Sequence, residues 1–235
     1  MQAERLAAYA VHLLTASGAV CGLVALDYAA AENWRMSFVW LGIAMVIDAI
    51  DGPIARRVQV DKVLPRFSGA TLDLVVDYLT YCVVPAFILI QSGRIGETLA
   101  PIAGAIILLT SLFHFADLKS KTEDGFFVGF PAIWNVVCLY VFVFNVEANV
   151  VLPVIVILAG ATLIPIKWVH PVRSKWWRAP TLVIVFFWSL AALYEVVLNF
   201  PGTPTVRVIF AIAAVYLVAI GAARTFHLRR TRTGT

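Results

Sequence analysis

Charge is scarce in this sequence. Only 14% of its 235 residues are Asp, Glu, Lys or Arg, and 61% are hydrophobic, whereas soluble domains are about 25% charged and about 45–50% apolar. That double displacement excludes a soluble enzyme, a disordered tail and a fibre. Repeats, low-complexity tracts and long polar linkers are missing as well, which points to a single domain over residues 1–235. Cysteine is rare, and Cys21, Cys82 and Cys138 all lie inside apolar runs without ligand-like spacing. They read as packing residues, neither disulfides nor metal ligands. The N-terminus lacks the net positive charge of a signal peptide, because Glu4 and Arg5 cancel, so its apolar run reads as a retained first span.

Apolar runs long enough to cross a bilayer, about 20 residues each, are what the sequence has in quantity. Eight candidate spans cover about 8–30, 34–52, 69–91, 97–115, 129–147, 150–168, 180–200 and 205–226, separated by short segments rich in Pro and Gly. The expected fold is an all-α polytopic membrane helix bundle. The net charge of +4 does not imply nucleic acid, because the basic residues sit in the connections. An even number of spans puts 15 of the 18 Lys and Arg on one side of the membrane, leaving Arg35, Arg94 and Arg207 on the other. Cytoplasmic loops carry such an excess, so both termini are expected in the cytoplasm. Lys175-Trp176-Trp177-Arg178 reads as an interfacial anchor to membrane lipid. Gly18 with Gly22, and Gly125 with Gly129, have the spacing that lets helices approach closely.

Four acidic residues stand where spans two and three meet the cytoplasm. Asp48 and Asp51 are three apart, Asp73 and Asp77 four apart, so each pair shares one helix face. Carboxylates at such depth are costly and mark functional paths. As capping or ion-paired groups beside Arg56, Arg57 and Arg66, single members have a bland explanation. Four together would repel, and a bound divalent cation resolves the repulsion, since hard oxygen donors suit magnesium or manganese. A transporter pathway is the reading from another class, but transporters place such sites near the midplane at broken helices.

The complete string is Asp48-x2-Asp51-Gly52-x2-Ala55-Arg56-x12-Gly69-x3-Asp73-x3-Asp77. It resembles the signature of the CDP-alcohol phosphotransferases, membrane enzymes of phospholipid synthesis, with all eight signature residues in order. The twelve-residue spacer, the stretch Gly125 to Asn135 and His170-Pro171-Val172-Arg173 are similar to the bacterial members that use choline. The resemblance implies transfer of a phosphatidyl group from CDP-diacylglycerol to choline with release of CMP, at the inner membrane, by a homodimer. It implies Asp48, Asp51, Asp73 and Asp77 as ligands of magnesium or manganese, two ions in all, with Asp77 also the general base. Gly52, Ala55, Arg56 and Gly69 would bind CDP-diacylglycerol. A quaternary ammonium calls for aromatic faces, for which Tyr78, Tyr81 and Trp134 are the candidates, with Phe113 and Phe115 nearby. His114, Asp117, Lys119 and Lys121 are further polar residues of the adjoining loop. Serine, glycerol 3-phosphate or inositol phosphate as acceptor stays open within the same family.

Overall fold

The computed structural model describes residues 2–122, 124–170, 174, 176–198 and 200–233, without the side chains of 228–233. Helices dominate. α1 (Gln2–Ala30) and α2 (Trp34–Val58) form a hairpin, followed by a short α3 (Val60–Val63). The third long rod is composite: α4 (Gly69–Tyr78), a π-helical turn (Leu79–Val83) and α5 (Val84–Gln91). Then come α6 (Ala100–Ala116), α7 (Trp134–Phe144), α8 (Ala148–Thr162), α9 (Arg178–Leu198) and α10 (Pro204–Thr233). Among the described residues, five helical stretches are long and apolar enough to cross a membrane, and α6, α7 and α8 are shorter apolar helices. The chain is thus an all-α polytopic membrane bundle. Large apolar side chains such as Leu13 (72% exposed) and Phe113 (70%) point outward, as expected where lipid replaces water.

Three features depart from the expected spans, one being that the span expected over 150–168 is helical only to Thr162 and ends in a strand from Lys167. α2 runs through Gly52-Pro53 and ends only at Val58. Proline removes one helical hydrogen bond and crowds the preceding turn, yet here the helix passes it. The expected span over 129–147 is helical only from Trp134, and 11 residues rise about 16 Å, well short of a bilayer core of about 30 Å. Non-helical backbone at membrane depth is tolerated when protein encloses it. Phe130 and Ala132 are buried, as are seven of the eleven α7 residues. α7 therefore sits inside the bundle, in the main apolar core with Ile88, Leu89, Ile107, Ile155 and Phe210.

The glycine pair of α1 works as its spacing implies. A Cβ at Gly18 would lie 2.7 Å from Val76, and one at Gly22 would lie 3.0 Å from Leu79, so α1 presses directly onto α4 and the π turn. Gly125 and Gly129 do not join helices. Both have positive φ, +78° and +77°, and flank strand β1 (Phe126–Val128). β1 pairs antiparallel with β2 (Lys167–Val169), Phe127 opposite Trp168. The two stretches quoted separately from the sequence are thus neighbours in space, although Pro171, Val172 and Arg173, like Lys175, lie outside the described residues.

An ion-pair clasp ties this hairpin to the last helix. Asp124 accepts from Lys167 Nζ at 2.7 Å, from Arg224 Nη2 at 2.9 Å and from the Thr122 hydroxyl. Burial opposes its charge, but these donors outweigh that and hold the carboxyl down at about 2.

Candidate active site

α2 and α4 carry the signature, and their antiparallel ends bring it together. Asp48 and Asp51 lie in the last three turns of α2, Asp73 and Asp77 in the first three of α4. Ser68 starts α4 by accepting a hydrogen bond from the Thr71 backbone N–H at 3.1 Å, the ordinary N-cap arrangement. From there the four-residue spacing sets Gly69, Asp73 and Asp77 along one face. Carboxylate oxygens of Asp48, Asp73 and Asp77 all lie within 4.8 Å of one another, and all three residues are half-buried.

Asp51 is placed differently. It is 5% exposed, and the Thr15 hydroxyl of α1 donates to its Oδ2 at 2.6 Å. It is not one of the three whose oxygens converge among the described residues. Thr15 escaped sequence reading, since nothing in a membrane helix distinguishes a threonine that meets a residue 36 positions later.

The aromatic candidates separate. Tyr81, one turn beyond Asp77, donates its hydroxyl to Asp48 Oδ2 at 2.5 Å. Tyr78 turns to α6, donating to the Leu108 carbonyl at 3.2 Å and standing edge-on to Phe115. Trp134 is fully buried, with its indole N–H on Ser111 Oγ at 2.9 Å. Of the three, Tyr81 is the one that hydrogen-bonds an aspartate among the described residues. A second aromatic group had no sequence signal as a unit: Phe127 stacks on His170 at 5.1 Å with planes 9° apart, and Lys121 Nζ lies 5.9 Å from the same ring. His114 is buried beside it, 6.4 Å between ring centres.

The signature glycines have no packing reason to be glycine. A Cβ at Gly52 would meet nothing nearer than Arg56 Nη1 at 3.4 Å, and one at Gly69 nothing nearer than His12 Cε1 at 3.6 Å. Neither glycine has positive φ. Glycine in a helix costs about 1 kcal/mol against alanine, so Gly52 carries a cost that the protein's own contacts do not require. Arg56 and Gly52 are one turn apart on α2, with the guanidinium of the exposed Arg56 lying over the glycine. Ala55 is half-buried against the small cluster of Ala8, Val11, Val60 and Leu64.

Three clustered carboxylates are hard, anionic donors and fit a divalent cation by charge and type. No family model matches the chain. A phosphatidylcholine synthase of Rhizobium meliloti (strain 1021) is 44% identical over 217 residues, 91% of this chain and 89% of the relative. That of Agrobacterium fabrum (strain C58) is 42% identical over 215 residues, 91% and 89% of the two chains. That of Pseudomonas aeruginosa (strain PAO1) is 35% identical over 213 residues, 91% and 90%. Identity of this degree over nearly the full length, on top of the complete aspartate signature, places the chain in the bacterial phosphatidylcholine synthase family.

Proposed function

We propose that this chain transfers the phosphatidyl group of CDP-diacylglycerol to choline and releases CMP. The observation that carries the reading is the convergence of Asp48, Asp73 and Asp77 near two helix ends. A substrate with acyl chains in lipid and a nucleotide in water needs its diphosphate handled at such a level. Asp48, Asp73 and Asp77, with Asp51 beside them, would hold magnesium or manganese, two ions in our reading. Bound there, divalent metal neutralises the diphosphate charge and polarises the attacked phosphorus.

The chain's own residues supply the rest. Arg56 presents planar donors to the diphosphate, and Gly52 and Gly69 leave room for the nucleotide beside the helix backbones, with Ala55 keeping that wall low. The choline oxygen attacks the phosphorus that bears diacylglycerol. Its proton passes to the Asp77 carboxylate, and the bond to CMP breaks. Thr15 holds Asp51, and Tyr81 holds Asp48, so that neither side chain has to be ordered at the moment of reaction. The choline ammonium packs against the Tyr81 ring, the aromatic candidate nearest the carboxylates. We read the whole of 1–235 as one domain with eight spans, α6, α7 and α8 included, in the bacterial inner membrane. Both termini and the site face the cytoplasm, and the working unit is a homodimer.

The test uses the purified chain with CDP-diacylglycerol and a panel of radiolabelled alcohols. Choline should enter lipid, dependent on added magnesium or manganese and abolished by excess EDTA. Incorporation of serine or glycerol 3-phosphate in place of choline would refute the acceptor while keeping the reaction class. Full turnover in EDTA would refute the metal.

A further inference from the structure

α4 has a second face turned away from the aspartates. Its aspartates occupy one side, while Ser68, Thr71, Leu72 and Val75, at helical spacing, occupy the other. On that opposite side they line a groove of about 460 Å³ with Tyr9 and His12 of α1 and Arg66 and Phe67 of the connecting loop. Leu72 and Val75 make its wall apolar, and Val75 is 60% exposed.

Two polar groups in this groove lack protein partners that would explain them. His12 Nε2 is buried and has no hydrogen-bond partner. The imidazole's described contact is edge-on to Phe67 at 6.1 Å. Arg66 is exposed, and its guanidinium lies 5.7 Å over the Phe67 ring with no ion pair among the described contacts. Ser68 and Thr71 are hydrogen-bonded to each other. The lining contains no acidic residue among the described residues; Asp61 stands outside it, 4.0 Å from where a Gly69 Cβ would lie.

From this juxtaposition we propose that the groove between α1 and the outer face of α4 binds an anionic phospholipid. Its phosphodiester sits on Arg66, and one acyl chain runs along Leu72 and Val75. Arginine suits phosphate through paired N–H donors. A lipid with a quaternary ammonium would bring a cation toward Arg66, which favours phosphatidylglycerol over phosphatidylcholine.

Binding is read directly, without reference to catalysis: the purified full chain is titrated with phosphatidylglycerol or phosphatidylcholine and the retained lipid counted by native mass spectrometry. Phosphatidylglycerol should be retained preferentially. Arg66→Gln should weaken it about ten-fold, the worth of one charge-assisted contact. Val75→Trp, at an exposed position that tolerates bulk, should block the groove without unfolding the protein. Arg57→Gln, a charge outside the groove, should change nothing. Equal retention by wild type, Arg66→Gln and Val75→Trp would overturn the proposal, as would equal retention of the two lipids. Stoichiometric displacement by CDP-diacylglycerol would assign the groove to the reaction site, and an altered oligomeric state in Val75→Trp would assign it to a second copy. Either result also overturns it.

Discussion

Asp77 is the residue at which proton transfer and metal binding come apart experimentally. Asp77→Asn keeps the size of the side chain and an oxygen donor but removes the base. Turnover should fall by about 10²–10⁴-fold, with a smaller change in CDP-diacylglycerol binding; unaltered turnover at neutral pH would reassign the base. Gly52 offers a converse test. Gly52→Ala should leave thermal stability unchanged or raise it by up to about 1 kcal/mol, because its Cβ meets only ordinary contacts. The KM for CDP-diacylglycerol should nevertheless rise, roughly ten-fold if one close approach is lost. A lower melting temperature with unchanged KM would show that the glycine serves packing. The signature aspartates were legible because helical spacing alone puts 73 and 77 on one face. Thr15 on Asp51 and Tyr81 on Asp48 were not, since each is a tertiary contact between chain segments more than thirty residues apart.

Among the elements, the long spans were readable from their apolar runs, and the exceptions share a cause. α7 is short, and its approach through Phe130 and Ala132 is irregular, because neighbours enclose it. An apolar run records burial in lipid and burial in protein alike, so length in sequence overstates length of helix. The composite third rod shows a related effect. A π turn adds a residue per turn locally, so α4 can aim Asp73 and Asp77 at the site while α5 buries Ile88 and Leu89 in the core. The β1–β2 pair is too brief for periodicity to reveal, and the glycines beside it have a spacing that reads as helix packing instead. Gly129 is the sharpest constraint there. With φ at +77° and a Cβ position 2.2 Å from the Thr162 carbonyl oxygen, Gly129→Ala should destabilise the fold by at least about 1–2 kcal/mol. Thermal melting of the variant in detergent measures this, and an unchanged melting temperature would contradict the geometry.

At the scale of the whole molecule, the Asp124 clasp joins segments about a hundred residues apart. A carboxyl held below its ordinary value of 3.8, at about 2, contributes stability that is fully present above the ordinary value and fades as pH falls toward the depressed one. Asp124→Asn should therefore lower the stability at pH 7 by roughly 1 kcal/mol once partial exposure is allowed for, read as a lower melting temperature. The gap should narrow below about pH 4, and a gap that persists at pH 2 would argue against the clasp. Its three members also emerge from synthesis in a fixed order: Asp124, then Lys167, then Arg224 on the final helix. A ribosome that has made the first two hundred residues has already released the whole aspartate signature, yet the hairpin bearing Lys121 and Phe127 still lacks its second cation. Completion of the clasp is thus a late event of biogenesis, and a chain cut short before Arg224 would carry its full catalytic vocabulary without the buckle that fastens that hairpin.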